Sequence, residues 1–292
     1  MDSPVSVSTG LKGFDKIING LRKGDNVVWQ VDCIEDYFHF ALSFIEHSLQ
    51  ENKKLVYIRF ANHAPLVEPS DSRITTYQLS AYEGFESFAT KIHSIISQEG
   101  PGTYYVFDCL SDLLSAWATD LMIGNFFVVT CPYLFELDTI AYFALLRERH
   151  SHKTIARIRE TTQLLLDVYH CENTRYCHPI KVWNRYSPTM FLPHVEENNQ
   201  FIPLTNSLDA TRLFAHIFRD REQSAIRKLD YWDQLFLDAE NLTKENLSSE
   251  DKDKLLQKLC GIMLSREEKI TQLIKKNLAL EDLLQIKSRL IG

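Results

Sequence analysis

The sequence is poor in the residues that build phosphate-binding loops and metal frameworks. It has 10 glycines in 292 residues, whereas average usage of about 7% would give about 20. This scarcity argues against a glycine-rich ligand loop anywhere in the chain. The six cysteines are scattered without a Cys-x-x-Cys pair. In a chain of this length they indicate the reduced thiols of a cytoplasmic protein, and not a disulfide framework.

Signals for membranes and nucleic acids are also missing. No apolar run reaches the ~18 residues that a membrane helix needs, and residues 1–5 have neither the basic start nor the apolar core of a signal peptide. The net charge of −7 disfavours non-specific binding to nucleic acid. A hydrophobic content of 45% is enough for one large or two modest domains. We therefore expect a cytoplasmic protein without nucleic-acid or membrane partners.

Residues 24–41 have the frame of a phosphate loop but not its chemistry. A short apolar strand at 27–31 leads through a tight connection into an amphipathic helix. A phosphate loop needs glycine N–H groups that converge on the anion, a Lys that reaches it, and a Ser or Thr for magnesium. None of these residues lies between Asp32 and His39. Three carboxylates, on Asp32, Glu35 and Asp36, stand there instead.

The remaining pattern to about residue 206 alternates strands with helices. Further strands are predicted at 55–60, 74–79, 103–108, 139–146, 164–169 and 176–183, and helices at 81–98 and over most of 125–136. The last segment has strand propensity, but Pro132 does not suit a central strand. This alternation predicts an α/β fold, with a mostly parallel sheet and helices on both faces.

The character of the chain changes near Ser207. Glycine is absent from there to Gly261, charge rises, and residues 208–240 and 250–290 are predicted to form two long helices. We therefore divide the chain into a domain at 1–206 and a helical hairpin or linker at 207–292. The hairpin either packs on itself or forms an intermolecular coiled coil, and two charged positions in its heptad seam favour the first.

A family resemblance rests on motifs in the first domain. Residues 8–15 (Ser-Thr-Gly-Leu-Lys-Gly-Phe-Asp) resemble the segment that leads into KaiC-type, RecA-like ATPases, whose strand, P-loop and helix align with residues 24–44. This alignment places the phosphate-binding Lys at Tyr37 and the magnesium-binding Ser/Thr at Phe38. The resemblance implies a RecA/KaiC-like fold with a degenerate P-loop. We hypothesise that the rings of Tyr37 and Phe38 fill the nucleotide pocket.

Two later segments extend the same resemblance. Residues 105–111 resemble the Walker B strand, which makes Asp108 the magnesium-side acid, and residues 180–187 resemble a late strand that carries Lys181 and Arg185. In the family, acidic residues that activate water follow the strand equivalent to 55–60, but here Ala61-Asn62-His63 follow it. The resemblance therefore implies a pseudo-ATPase.

A second resemblance concerns the parent protein. Residues 24–32, 59–66, 104–112, 124–127 and 161–169 are similar to the N-terminal region of phosphoenolpyruvate synthase and pyruvate phosphate dikinase-related proteins. This resemblance implies either a piece of a longer protein, in which an ATP-grasp phosphotransferase domain follows and is the main partner, or a stand-alone homologue. The sequence shows no phosphorylatable-His motif of that enzyme class, and we expect no cofactor or metal in this segment.

Several residues admit two interpretations. Asp108 is either a magnesium ligand or, as the missing P-loop favours, a strand-end acid that caps a loop or pairs with a cation. His63 follows a strand and could act as a general base or as a metal ligand. A surface histidine whose hydrogen bonds are satisfied is the favoured interpretation. His170-Cys171 and Cys177-His178 flank a predicted five-residue hairpin loop, but zinc there is disfavoured because adjacent strand residues face opposite sides.

The densest basic patch follows the 139–146 strand. It lies at the edge where doubly wound sheets bind ligands, so it fits an anion, an acidic partner or merely a solvated loop. Its members are Arg147, Arg149, His150, His152, Lys153, Arg157 and Arg159.

The favoured function is a non-catalytic regulatory, docking or oligomerisation domain of a phosphoenolpyruvate synthase-like phosphotransferase. The first alternative is a divergent ATPase or kinase that uses Asp108, Lys181 and Arg185. The second is a homo-oligomer that assembles through the C-terminal helices. The favoured function predicts a closed connection from Asp32 to Phe38, with its carboxylates pointing outward.

Overall fold

A computed structural model describes residues 6–68, 71–117, 119–171, 174–198, 200–207, 209–211 and 213–214. Within these residues the α-helices are α1 (Lys12–Ile18), α2 (Ile34–Gln50), α3 (Phe85–Glu99), α4 (Leu121–Glu136) and α5 (His152–Thr161). The strands are β1 (Asn26–Val31), β2 (Leu55–Arg59), β3 (Thr75–Gln78), β4 (Tyr104–Cys109), β5 (Ile140–Leu146), β6 (Leu164–Cys171), β7 (Thr174–Val182), β8 (His194–Glu197) and β9 (Gln200–Pro203).

The strands form one mixed sheet in the order β3-β2-β4-β5-β1-β6-β7-β8-β9. The six strands from β3 to β6 in this order are parallel, which confirms the predicted α/β fold with a mostly parallel sheet. Antiparallel pairing adds β7, β8 and β9 at one edge. Strands β8 and β9 were not predicted from the sequence.

Apolar side chains cover both faces of the sheet. Alternate residues of β1 divide between two buried clusters, because Val27, Trp29 and Val31 join one cluster and Val28 joins the other. The first cluster packs under α1 and α2, and the second packs under α3, α4 and α5. Burial on both faces explains why the central strands are almost continuously hydrophobic.

The segment before β1 is fixed by one carboxylate and one close backbone approach. Asp15 in α1 accepts hydrogen bonds from the Ser8 Oγ, the Thr9 backbone N at 2.8 Å and the Thr9 Oγ1 at 2.7 Å. Gly10 has φ +86°, and a Cβ there would lie 2.1 Å from the Ser43 carbonyl oxygen of α2. Only glycine therefore lets this segment lie against α2.

Of the two helices predicted at 125–136 and 81–98, the first agrees with the structure and the second begins later than predicted. Residues 125–136 are helical, as predicted, and α4 contains Pro132. The helix predicted from residue 81 is shorter at its start, because a 3₁₀ turn (Ala81–Glu83) and Gly84 at φ +93° precede α3.

No helix among the described residues is long and apolar enough to cross a membrane. The predicted hairpin at 207–292 lies almost wholly outside the described residues.

Candidate functional site

The candidate site lies at the carboxyl ends of the parallel strands, the edge where sheets of this kind bind ligands. There β1 ends at Val31, and only Asp32 and Cys33 separate it from the first residue of α2, Ile34. The connection is therefore two residues long and contains no glycine. Cys33 is the residue before the helix, and its side chain caps no backbone N–H of α2.

Tyr37 is buried beneath the first turn of α2. Its ring is fully buried, and its hydroxyl oxygen lies 2.9 Å from the Phe107 carbonyl of β4 and 3.3 Å from the Tyr142 carbonyl of β5. The hydroxyl donates to these carbonyls, and burial raises the pKa of Tyr37 well above its ordinary value. Tyr37, the residue that the resemblance aligns with the phosphate-binding Lys, thus points into the core.

Phe38 lies on the outer side of the same turn. It is half-buried and packs edge-on against the His63 ring, with a centroid distance of 5.5 Å. The histidine Nδ1 lies 2.7 Å from the Ala64 carbonyl, and its Nε2 lies 3.3 Å from the Cys109 backbone N. The same Nε2 also lies 3.6 Å from Asp108 Oδ1, and only 12% of the His63 side chain is exposed. His63 therefore has ordinary structural partners.

Asp108 is fully buried, and its carboxylate is saturated by donors. It accepts from the Tyr57 hydroxyl, from Arg59 Nη1 at 2.6 Å, and from the backbone N of Phe60 and of Ala61, both at 2.9 Å. Its role is that of a strand-end acid that caps a loop and pairs with a cation. The favoured interpretation of Asp108 therefore agrees with its contacts, and no lone pair faces solvent for magnesium.

The three acidic residues of the connection do not share one environment. Asp32 and Glu35 are exposed, as predicted. Asp36 contradicts the prediction of outward carboxylates, since only 1% of its side chain is exposed. A carboxylate can be buried here because two cationic or polar side chains, Arg175 and His170, contact it from the neighbouring β6–β7 hairpin.

Asp36 belongs to a chain of charged contacts that links α2, β7 and β8. Its Oδ1 accepts from Arg175 Nε at 3.2 Å, and Arg175 Nη1 donates to Glu196 Oε2 at 2.9 Å. Glu196 Oε1 lies 2.7 Å from His39 Nε2. Arg175, Glu196 and His39 were not predicted as site residues, because β8 was not predicted and no local pattern places it beside α2.

Cys33 adjoins the other oxygen of Asp36. The Sγ atom lies 3.3 Å from Asp36 Oδ2. Burial, followed by the contact with Asp36, raises the pKa of the Cys33 thiol to about 11. The thiol is therefore protonated at neutral pH, which disfavours nucleophilic catalysis by this residue.

Arg147 stands at the mouth of the site but is not available to an external anion. Its Nε donates to Asp32 Oδ1 at 2.6 Å and its Nη1 to Asp167 Oδ2 at 3.2 Å. Its Nη2 donates to the Val168 carbonyl at 2.7 Å, and the guanidinium lies 4.2 Å from the centroid of the Tyr169 ring. Arg147 is thus a structural cation, and the structure removes it from the predicted patch.

The rest of the basic patch divides into engaged and exposed residues. Arg157 donates to Asn125, and the His150 Nε2 lies 2.7 Å from the Ser111 hydroxyl. Burial lowers the pKa of His150 to about 4, so this ring is neutral at pH 7. The remaining members are exposed in or just before α5, and we call them the α5 basic surface: Arg149, His152, Lys153 and Arg159.

Lys181 and Arg185 lie near the amino-terminal ends of the parallel strands, opposite the candidate site. Lys181 pairs in register with Leu165 near the start of β6, and its Nζ donates to the Arg159 carbonyl at 2.5 Å. Arg185 Nη2 donates to both carboxylate oxygens of Asp25, just before β1, at 2.6 and 2.8 Å. The structure therefore does not bring these two cations to Asp108, contrary to the predicted ATPase site.

The strand pairing also separates the His and Cys residues that were considered as zinc ligands in the β6–β7 hairpin. β6 continues to Cys171 and β7 begins at Thr174, so the predicted five-residue loop is shorter. His170 pairs with Arg175, whereas Cys177 pairs with Val168. His170 instead reaches Asp36 Oδ2 on α2, at 3.0 Å from its Nδ1.

Comparisons with protein-family models and with curated proteins find no match to this sequence.

Proposed function

We propose that the sheet domain is a RecA/KaiC-like pseudo-ATPase, a non-catalytic regulatory or docking domain of a phosphoenolpyruvate synthase-like phosphotransferase. The observation that carries the proposal is the position of Tyr37. Its buried hydroxyl contacts the carbonyls of β4 and β5, where the aligned family members have the Lys that reaches the phosphates. A side chain held in this way offers nothing to an anion.

Electrostatics supports the same proposal. Asp32 and Glu35 are exposed beside the connection, and their charges would repel a triphosphate. The cation nearest to Asp32, Arg147, is already bound to Asp32 and Asp167. A nucleotide would have to break these pairs before it gained a contact with Arg147, and the connection itself supplies no Lys.

The hydrogen bonds that occupy the Asp108 carboxylate argue against the divergent ATPase or kinase. That alternative requires Asp108, Lys181 and Arg185 at one site. Arg185 is instead paired with Asp25, at the amino-terminal end of β1. Assembly through the C-terminal helices concerns residues that the structure does not describe, so homo-oligomerisation stays a prediction.

A turnover assay tests the loss of catalysis. We expect the 292-residue chain, incubated with ATP and Mg²⁺, to release phosphate no faster than buffer. A contaminating ATPase is recognised by its persistence in the Asp108→Asn variant. Steady turnover by the wild-type chain that this substitution abolishes would contradict the proposal.

For the docking role, we propose that the α5 basic surface faces an acidic surface of the ATP-grasp phosphotransferase domain. Its three permanent cations, Arg149, Lys153 and Arg159, are exposed in a chain of net charge −7. Such charges act mainly on the rate and salt dependence of association.

The docking role is tested with the phosphotransferase domain supplied as a separate polypeptide. Lys153→Glu combined with Arg159→Glu should weaken binding at least about tenfold at low salt, by titration calorimetry. The matched control is the exposed Lys53→Glu, which should leave the affinity unchanged. Equal affinities for the wild type and the double variant would refute docking through this surface.

A further inference from the structure

Three side chains with metal-binding atoms converge at the connection between β1 and α2. Cys33 Sγ, a carboxylate oxygen of Asp36 and a ring nitrogen of His170 all lie within 4.8 Å of one another. Two of the separations are shorter, since Asp36 Oδ2 lies 3.3 Å from Cys33 Sγ and 3.0 Å from His170 Nδ1. The histidine comes from the end of β6, far from the other two in sequence.

The spacing suits a small tetrahedral ion. Bonds of about 2.0–2.3 Å at tetrahedral angles place neighbouring ligand atoms about 3.5 Å apart. The two measured separations to Asp36 Oδ2 are already close to this value. Cys33 and His170 are exposed, so their side chains can rotate by the remaining amount without disturbing the core.

The types of atom indicate which ion fits. A thiolate, an imidazole and a carboxylate are the three protein ligands that Zn²⁺ uses. Mg²⁺ and Ca²⁺ prefer oxygen ligands throughout, so a sulfur and a nitrogen among three donors disfavour them. Among the residues that the structure describes, this is the group of three such side chains close enough to share an ion.

The surroundings of Asp36 hold its carboxylate in a suitable orientation. Oδ1 accepts from Arg175 Nε at 3.2 Å, which leaves Oδ2 directed at Cys33 and His170. The positive charge of Arg175 is shared with Glu196, whose Oε2 accepts from Nη1 at 2.9 Å. Hydrogen bonds from outer residues commonly orient metal ligands in this way.

From this geometry we infer a Zn²⁺ site formed by Cys33 Sγ, Asp36 Oδ2 and His170 Nδ1. Binding releases the thiol proton of Cys33 to solvent, and the thiolate then bonds to the ion. A fourth position faces solvent, because Cys33 and His170 are exposed, and it takes water or a small anionic ligand. The inference does not depend on the pseudo-ATPase proposal.

The test uses the full 292-residue chain without an affinity tag, titrated with Zn²⁺ against a chromophoric chelator. Cys33→Ser and His170→Gln should each lower the affinity by at least about tenfold, a loss that even outer-shell substitutions produce at metal sites. Two matched controls remove similar groups outside the site. Glu35→Gln alters the neighbouring exposed carboxylate and His152→Gln an exposed histidine, and both should bind Zn²⁺ like the wild type.

Cobalt gives an independent readout. Co²⁺ in the same site should show a thiolate-to-metal charge-transfer band that is lost in Cys33→Ser and kept in Glu35→Gln. Circular dichroism verifies that the exposed-site variants are folded, whereas Asp36→Asn is avoided because its carboxylate is buried in an ion pair. The inference is overturned if either Cys33→Ser or His170→Gln binds Zn²⁺ as tightly as the wild type, or if the band is absent.

Discussion

The Tyr37 hydroxyl joins the first turn of α2 to the carbonyls of two neighbouring strands. Tyr37→Phe keeps the ring and removes this buried hydrogen bond, so we expect a loss of about 1 kcal/mol in the free energy of unfolding. Urea denaturation followed by circular dichroism measures it. Tyr82→Phe is the matched control, because Tyr82 is 73% exposed and should lose nothing measurable. Equal stabilities of Tyr37→Phe and the wild type would show that the contact is not formed.

Asp108 makes the sharper prediction at the residue scale. Asp108→Ala leaves the Arg59 guanidinium, which is 14% exposed, and two backbone N–H groups without their acceptor. Breaking a buried ion pair in this way costs about 3–5 kcal/mol. The measurement is the urea midpoint, and the exposed Glu86→Ala serves as its control. A stability unchanged by Asp108→Ala would contradict the structural role of this carboxylate.

Only those features of the candidate site that depend on residues close together in the sequence could be predicted. The sequence alone shows that Gly, Lys, Ser and Thr are absent between Asp32 and His39, which argues against a phosphate cradle there. The burial of Asp36 was not predictable, because it depends on Arg175 and His170 from a hairpin distant in sequence. Likewise, Arg147 was placed in an exposed patch, since its partner Asp167 becomes a neighbour only in the folded sheet.

At the scale of elements, Gly10 determines how the N-terminal segment lies on α2. In Gly10→Ala the new Cβ would lie 2.1 Å from the Ser43 carbonyl, and the positive φ adds strain. Gly102→Ala is the control, because it also has a positive φ but no atom within 4 Å of the added Cβ. The strain alone costs about 1–2 kcal/mol, so Gly10→Ala should lose clearly more in thermal unfolding. Equal losses would show that no close approach exists.

The elements themselves follow largely from local pattern. Apolar runs such as 103–108 predicted the parallel strands, because a strand covered on both faces has no polar side. Pro132 was compatible with α4 even though the surrounding residues favour a strand. The strands β8 and β9 escaped prediction because each has only four residues, and long-range pairing with β7 decides their structure.

At the scale of the whole molecule, the buried His194 and the partly buried His150 predict how stability depends on pH. Burial lowers the pKa of His150 and of His194 to about 4, whereas an unfolded histidine titrates near 6.5. Between these values the unfolded chain binds protons that the folded chain does not. Stability is therefore complete above about pH 6.5 and is lost as the pH falls toward 4.

The expected loss from each histidine at pH 5 is at most about 2 kcal/mol. Urea unfolding at pH 7.5 and pH 5 measures this loss. His150→Gln should show a smaller difference between the two pH values, whereas the exposed His152→Gln should keep the wild-type difference. A wild-type stability that is equal at both pH values would contradict the burial of these rings.

The central claim is that the position of the phosphate cradle is closed, with Tyr37 turned into the core and Asp108 saturated. Titration calorimetry of the full 292-residue chain with ATP and Mg²⁺ tests this claim most directly. The account predicts no saturable binding with a Kd below about 1 mM, which corresponds to a binding free energy weaker than about −4.1 kcal/mol. Magnesium-dependent binding in the micromolar range that is lost in Asp108→Asn would contradict it.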